Sequence, residues 1–287
     1  MVTRSETPTW STIEASAISG FLTRILLHPL DTCKVFAQVS GSGQKSTGIN
    51  SSAMTIVRND GITGLYRGFG PALIGTVPGV ALYFTSFEMA KAKLERIGSE
   101  RPNLVNFTAG FLAEVVSCIV WVPTDVLKER AQALNVGKTH GHIGSPSLRD
   151  IIHKEGFRGL YRGYGATLAA FGPFSAFYFM FAEQLKNVSR SSLGRPDLSF
   201  MELVSICAVA GGGAALCSAP MDLVKVRMQV ERQNNSNYPG FLSALRQIFA
   251  KEGVRGLFRG GSSRVWFAVP NTAITMSIME SIKHGLD

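Results

Sequence analysis

Charge is scarce in this sequence. Asp, Glu, Lys and Arg make up 17% of its 287 residues, while hydrophobic residues make up 45%. Soluble proteins usually carry roughly 25% charge, so a length that would suit two soluble domains does not by itself argue for them. The four cysteines, Cys33, Cys118, Cys207 and Cys217, fall at no paired spacing. They make neither a disulfide scaffold nor a zinc site and read as small buried thiols. No Walker-type phosphate loop is present, so nothing suggests driving by ATP hydrolysis. No catalytic triad and no metal-ligand cluster can be assembled, which leaves an enzyme and a cofactor without support. The 29 basic and 20 acidic side chains give a formal charge of +9. There is no long basic run, no repeated finger spacing and no aromatic RNA-binding motif. Nucleic acid is therefore disfavoured, and anionic lipid or an anionic solute is the better partner. Met1 to Trp10 is short and polar and lacks the segments of a secretory signal. No organellar presequence is evident, so targeting is expected to be internal.

What the sequence does contain is one unit written three times. Pro29-Leu30-Asp31-Thr32-Cys33-Lys34 recurs as Pro123-Thr124-Asp125-Val126-Leu127-Lys128 and as Pro220-Met221-Asp222-Leu223-Val224-Lys225. A glutamine follows each at the same offset: Gln38, Gln132 and Gln229. A second motif recurs in phase, from Asp60-Gly61 to Tyr66-Arg67-Gly68, from Glu155-Gly156 to Tyr161-Arg162-Gly163, and from Glu252-Gly253 to Phe258-Arg259-Gly260. A third closes each unit: Glu88 with Lys91, Glu183 with Lys186, and Glu280 with Lys283. The units divide as 1–98, 99–194 and 195–287, together one domain.

Each unit reads as two long helices around a short one. The first long members span about 10–39, 103–133 and 199–231, and the second about 68–96, 163–188 and 260–284. Crossing roughly 30 Å of hydrocarbon takes about 20 residues. Short surface helices are predicted near 49–58, 145–153 and 238–250, ending before the acidic residue and glycine. Glu14, Arg24, His28, Glu114 and Arg264 interrupt the long segments. Lipid solvates such groups poorly, so they require a protein or water-filled surface. Small residues such as Gly211-Gly212-Gly213 let helices approach closely. The expected fold is an all-α membrane protein, with six transmembrane helices in three pseudo-threefold repeats around a wet cavity.

The motifs suggest two gates. Pro29, Pro123 and Pro220 bend three helices inward. Asp and Lys three residues apart share a helix face, so each Asp can reach the Lys of a neighbouring unit. The expected pairs are Asp31 with Lys128, Asp125 with Lys225, and Asp222 with Lys34, braced by Gln38, Gln132 and Gln229. A second ring would pair Glu88 with Lys186, Glu183 with Lys283, and Glu280 with Lys91. Both rings closed at once would trap the protein, so one opens as the other forms. Ion pairs suit this, because attraction and desolvation nearly offset, and a few kcal/mol of solute binding then shifts the population. Gly61, Gly156 and Gly253, with the helix starts after Gly68, Gly163 and Gly260, offer backbone amides to a phosphate. Anionic lipid headgroups are the expected ligand.

From Trp10 to Lys283 the three motif sets resemble the mitochondrial carrier family. The resemblance implies a multi-pass monomer of the mitochondrial inner membrane, working by alternating access. It implies three matrix-side helices, termini on the intermembrane-space side and cardiolipin bound between repeats. The Asp and Lys ring would be the matrix gate and the Glu and Lys ring the cytoplasmic gate. Phe87 keeps the aromatic residue often found before the acid of the second gate, and Ala182 and Met279 replace it.

Solute contacts in that family lie near mid-membrane on the second long helix of each unit. Carried over, they fall on Gly75 and Thr76, on Ala170 and Phe171, and on Phe267 with Ala268. Arg24, Glu114 and Arg264 are the remaining charges at plausible depth. The runs Glu114-Val115-Val116-Ser117-Cys118 and Gly75-Thr76-Val77-Pro78-Gly79 resemble S-adenosylmethionine carriers. Such a solute would place its sulfonium and ammonium on Glu114, its carboxylate on Arg24 or Arg264, and its adenine on Phe171, Trp266 or Phe267. Glu114 has an alternative role as a partner of a neighbouring helix. Another cofactor, a nucleotide, an amino acid or a carboxylate stays open as the solute. A proton-leak carrier and a non-transporting scaffold are the other classes.

Overall fold

The computed structural model describes residues 10–40, 48–96, 102–133, 148–195, 197–231, 238 and 240–286, with side chains described except at 10–17, 102–104 and 279–286. All regular structure among them is helical. The first long helix, α1 (Trp10–Val39), is followed by α2 (Ile49–Asp60), a 3₁₀ turn (Ile62–Tyr66) and α3 (Phe69–Arg96). Then come α4 (Pro102–Gln132), α5 (Leu148–Leu160) and α6 (Tyr164–Leu193). The last third holds α7 (Phe200–Cys217), α8 (Ala219–Val230), α9 (Phe241–Leu257) and α10 (Gly261–Leu286).

Two boundaries differ from expectation. The segment predicted as one helix over 199–231 breaks at Ser218 (φ −89°, ψ 4°), between α7 and α8. Pro220 has no N–H to continue the helical ladder, whereas the helices around Pro29 and Pro123 run on unbroken. The short helices run through the acidic residue rather than ending before it. The break comes one residue later, at Gly61 (φ 71°, ψ −174°), Gly156 (φ 70°, ψ −175°) and Gly253 (φ 67°, ψ −168°). That backbone conformation is close to glycine-only, so the glycine and not the acid sets the boundary.

The long helices pack in chain order: α1 on α3, α3 on α4, α4 on α6, α6 on α7, α7 on α10, and α10 back on α1. Glycines allow the close contacts. A Cβ on Gly75 would lie 2.5 Å from Thr124 Cγ2, and one on Gly79 2.6 Å from the Trp121 ring. Across α7 and α10, Gly211 meets Thr272 and Gly212 meets Val269.

The apolar core is concentrated at one end. Cys33, Phe36 and Ile56 join α1 to α2. Val122, Val126 and Ile151 join α4 to α5, and Leu223, Val224 and Ile248 join α8 to α9. Large apolar side chains point outward along the long helices, among them Leu26, Ile74, Phe107, Ile119 and Val209. Outward apolar groups around an inward polar lining suit a lipid surround. By length and composition Ile62–Arg96, Val105–Gln132, Tyr164–Leu193 and Phe200–Cys217 can cross a membrane. Among the described residues α1 and α10 do not reach that level of hydropathy; α1 carries Arg24, Asp31 and Lys34 within its span.

Candidate functional site

The three Asp–Lys motifs, each just after its proline, meet at one end of the helix ring. Lys128 Nζ lies 3.0 Å from Asp31 Oδ2, Lys225 Nζ 2.8 Å from Asp125 Oδ2, and Lys34 Nζ 3.0 Å from Asp222 Oδ2. Each pair joins two different motif copies. The glutamine arrangement is less regular. Gln38 Nε2 donates to Asp222 Oδ2 at 2.9 Å, and Gln132 Nε2 donates to Thr32 Oγ1 at 3.1 Å and to Asp31 Oδ2 at 3.4 Å. Gln229 Nε2 instead donates to Thr167 Oγ1 at 3.4 Å, away from Asp125.

The Glu–Lys motif stands apart from this closed end. Lys186 pairs with Glu183 on its own helix at 3.3 Å, and Lys91 lies 3.9 Å from Glu95 on its own helix. Neither contact joins two copies, and Glu88 has no ion pair among the described residues. The side chains of Glu280 and Lys283 lie outside the description, as does that of Glu14.

Above the Asp–Lys ring is a cavity of about 240 Å³. Its α1 wall is Thr23, Arg24, Leu27, His28, Asp31 and Lys34, successive turns of one face. Lys128 and Glu129 of α4, Lys225 of α8, and Phe267 and Asn271 of α10 complete it. Of the expected solute contacts, Arg24 and Phe267 line this cavity. Arg24 stacks its guanidinium over Trp121, 5.2 Å from the ring centre. Gly75 and Thr76 are buried against neighbouring helices, and Thr76 Oγ1 donates to the Ala72 carbonyl at 2.7 Å. Ala170 is likewise buried, and Phe171 is half-buried on α6. Glu114 accepts a weak bond from Cys118 Sγ at 3.6 Å on its own helix. Arg264 is engaged: Nη1 donates to the Ser218 carbonyl at 2.9 Å and lies 3.4 Å from Asp222 Oδ2. The same carbonyl also accepts from the Met221 and Asp222 amides that start α8, at 3.1 and 3.2 Å. Trp266 is 65% exposed on the outer face, where it cannot stack on a solute in the cavity. His28 Nε2 donates to the Arg67 carbonyl at 2.9 Å.

The lipid-site glycines fall into two groups. Gly61, Gly156 and Gly253 have open space where a Cβ would be, so their positive φ alone calls for glycine. Gly68, Gly163 and Gly260 also have positive φ, and they press on a neighbouring copy. A Cβ there would lie 2.7 Å from the Lys128 carbonyl oxygen, 2.8 Å from Gln229 Cγ and 2.8 Å from Gln38 Cγ, respectively.

Two groups escaped the sequence reading. Arg130 forms a bidentate pair with Glu155, and Arg227 forms one with Glu252. Both arginines also donate from Nε to a carbonyl of the next copy, Gln229 at 2.9 Å and Gln38 at 3.1 Å. Burial favours the neutral form of Glu252, but the Arg227 and Arg259 guanidiniums outweigh it and hold its pKa below the usual value. The second is Glu129, 3% exposed at the cavity floor. Aligning the copies two places and one place after the lysine would have found them: Phe36, Arg130 and Arg227, then Val35, Glu129 and Val226.

Comparison with known proteins agrees with this construction. The family described as "Mitochondrial carrier protein" matches at residues 5–97, 99–192 and 196–287. "Mitochondrial substrate carrier family protein E" of Dictyostelium discoideum is 31% identical over 95% of this chain and 94% of its own length. "Probable S-adenosylmethionine carrier 2, chloroplastic" of Arabidopsis thaliana is 32% identical over 96% of this chain and 74% of its own. "Mitochondrial S-adenosylmethionine carrier protein" of Xenopus laevis is 32% identical over 95% of this chain and 96% of its own. The chain therefore belongs to the mitochondrial carrier family, a family of transporters and not enzymes, and is a multi-pass protein of the mitochondrial inner membrane.

Proposed function

We propose that the chain moves a small solute across the inner membrane by alternating access, with S-adenosylmethionine as the leading candidate. The three units, 1–98, 99–194 and 195–287, form one transport domain with six crossing helices. It works as a monomer, with cardiolipin held at the glycine-marked helix starts. The observation that carries the reading is the contrast between the two charge sets. The three Asp–Lys pairs join different motif copies at 2.8–3.0 Å, while Lys186 and Lys91 bond within their own helices. Among the described residues one end is joined across copies and the other is not, as a cavity reached from one side requires. On this reading Asp31, Asp125 and Asp222 with Lys34, Lys128 and Lys225 are the matrix gate. Glu88, Glu183 and Glu280 with Lys91, Lys186 and Lys283 close the cytoplasmic side when the first ring opens. The S-adenosylmethionine assignment draws on the two relatives named for that solute, each 32% identical.

Thermal unfolding of purified protein against a metabolite collection, followed by labelled uptake into liposomes, tests both levels. A solute that binds only the folded state raises the unfolding temperature. S-adenosylmethionine should stabilise the protein and accumulate in liposomes. If it does neither and another solute does both, the solute assignment falls. If no solute enters, alternating access falls with it.

A further inference from the structure

We infer that Glu129 and Arg24 form a receptor for the ammonium and carboxylate of a zwitterionic, amino-acid-type solute. The inference rests on the transport reading above and names the solute class for the same cavity.

Glu129 breaks the pattern of the three copies. The equivalent positions hold Val35 and Val226, 0% and 1% exposed, both apolar packing residues. The carboxylate in place of a valine forms no ion pair in the ring, where each lysine already has its aspartate. Glu129 is 3% exposed, lines the cavity, and its Oε2 has no hydrogen-bond partner. Among the described residues it makes no ion pair. A buried carboxylate oxygen facing a cavity without a donor is an acceptor awaiting one.

Arg24 is the counterpart. It lines the same cavity and stacks on Trp121, and among the described residues it has no carboxylate partner. The pairing of the charges then points to the solute. Asp31, Asp125 and Asp222 pair with Lys128, Lys225 and Lys34, Arg264 shares Asp222 and bonds the Ser218 carbonyl, and His28 is bonded to the Arg67 carbonyl. Among the described charges that line the cavity, Arg24 and Glu129 are the two without an ion pair. Arg24 lies two turns before Asp31 on α1, roughly 10 Å along the axis, and Glu129 adjoins the lysine that holds Asp31. Both charges line the one cavity. A dicarboxylate or nucleotide would bring negative charge against Glu129, and a simple cation would meet Arg24. Both are disfavoured by like charge at close range.

Liposomes holding the full-length protein can be loaded with labelled S-adenosylmethionine or neutral α-amino acids, each compared with the same acid lacking its amino group. Wild-type protein should favour the zwitterion by roughly tenfold or more, the effect of one hydrogen bond to a charged group. Glu129→Gln should lose at least about that factor for zwitterions and keep or raise uptake of the des-amino acid, so that the preference collapses. Arg24→Gln should weaken both. Because Glu129→Gln removes a buried charge, its unliganded unfolding temperature should equal or exceed the wild-type value, which separates loss of recognition from loss of fold. Wild-type preference for dicarboxylates, nucleotides or des-amino acids would overturn the receptor and leave the transport reading standing. So would an unchanged preference in Glu129→Gln. Absence of uptake of every solute by wild-type protein would instead remove the transport reading on which the receptor rests.

Discussion

Replacing Arg130 by methionine should lower the stability of this protein more than removal of almost any other single polar group. The guanidinium donates from Nη1 to Glu155 Oε1 at 2.7 Å and from Nη2 to Glu155 Oε2 at 3.0 Å. It donates from Nε to the Gln229 carbonyl at 2.9 Å and from Nη2 to the Glu231 carbonyl at 3.1 Å. One side chain thus ties the ends of α4, α5 and α8 together. Arg130 and Glu155 are 6% and 5% exposed, so the pair is buried. Methionine keeps most of the stem volume and removes both guanidinium bonds to the ionised Glu155. Breaking one side of a buried pair costs about 3–5 kcal/mol. At about 2–4 °C per kcal/mol, the unfolding temperature should fall by roughly 6–20 °C. Unfolding can be followed with a thiol-reactive fluorophore, since Cys33, Cys118 and Cys207 are buried in the native fold. Glu155→Met and the double variant complete a cycle. The double variant should be less damaged than the sum of the singles, because it buries no unpaired charge. Additivity within about 0.5 kcal/mol would refute the pairing.

Three further outcomes follow from the same geometry. Gly68→Ala should destabilise by about 1–3 kcal/mol from the positive φ alone, and more from the 2.7 Å approach to the Lys128 carbonyl. Gly70→Ala, with nothing near, is the control and should be neutral or mildly stabilising in a melting comparison. Asp125→Lys and Lys225→Asp should each abolish uptake, and combining them should restore a measurable part by rebuilding the 2.8 Å pair in reverse. No recovery in a well-folded double variant would argue against a pairwise gate. For Glu252, whose folded pKa is depressed, the stabilisation is present at neutral pH and fades as pH falls below its ordinary value of 4.5. Melting of wild type and Glu252→Gln should differ at pH 7 and converge in that acid range; a constant gap would refute the charge-based account.

Much of this was legible in sequence because repetition turns one motif into three independent readings. Pro29, Pro123 and Pro220 with their Asp and Lys could be phased against one another, and a threefold arrangement then lets each Asp reach the Lys of a neighbouring copy. What could not be read was where the copies differ in consequence. Ser218 breaks a helix in the third unit, while the stretches around Pro29 and Pro123 stay continuous. Gln229 turns to Thr167 although Gln38 and Gln132 reach aspartates. These choices depend on side-chain packing between elements distant in sequence, which a linear pattern does not contain. Arg264 illustrates the same limit. Its charge marked it as a solute ligand, but only the fold shows it bonded to the Ser218 carbonyl and beside Asp222.

The sharpest asymmetry lies in the seams between copies. Two of the three are stitched by paired arginines. Between the second and third copies, Arg130 reaches the Gln229 carbonyl and Arg162 reaches the Met228 carbonyl at 2.8 Å. Between the third and first, Arg227 reaches the Gln38 carbonyl and Arg259 reaches the Ser40 carbonyl at 3.0 Å. Between the first and second, Phe36 stands where an arginine would, and Arg67 is held within its own copy by Asp60 at 2.7 Å. Asp31–Lys128 is the ring pair that bridges this seam. Among the described residues the seam lacks two hydrogen bonds from charged donors, so its local opening should be easier by at least about 2 kcal/mol, roughly thirtyfold in population. Amide exchange should therefore be fastest in the last turn of α4, slower in the last turns of α1 and α8. Equal protection at the three ends, or faster exchange at α8, would show that the arginine links do not set the order in which the ring opens.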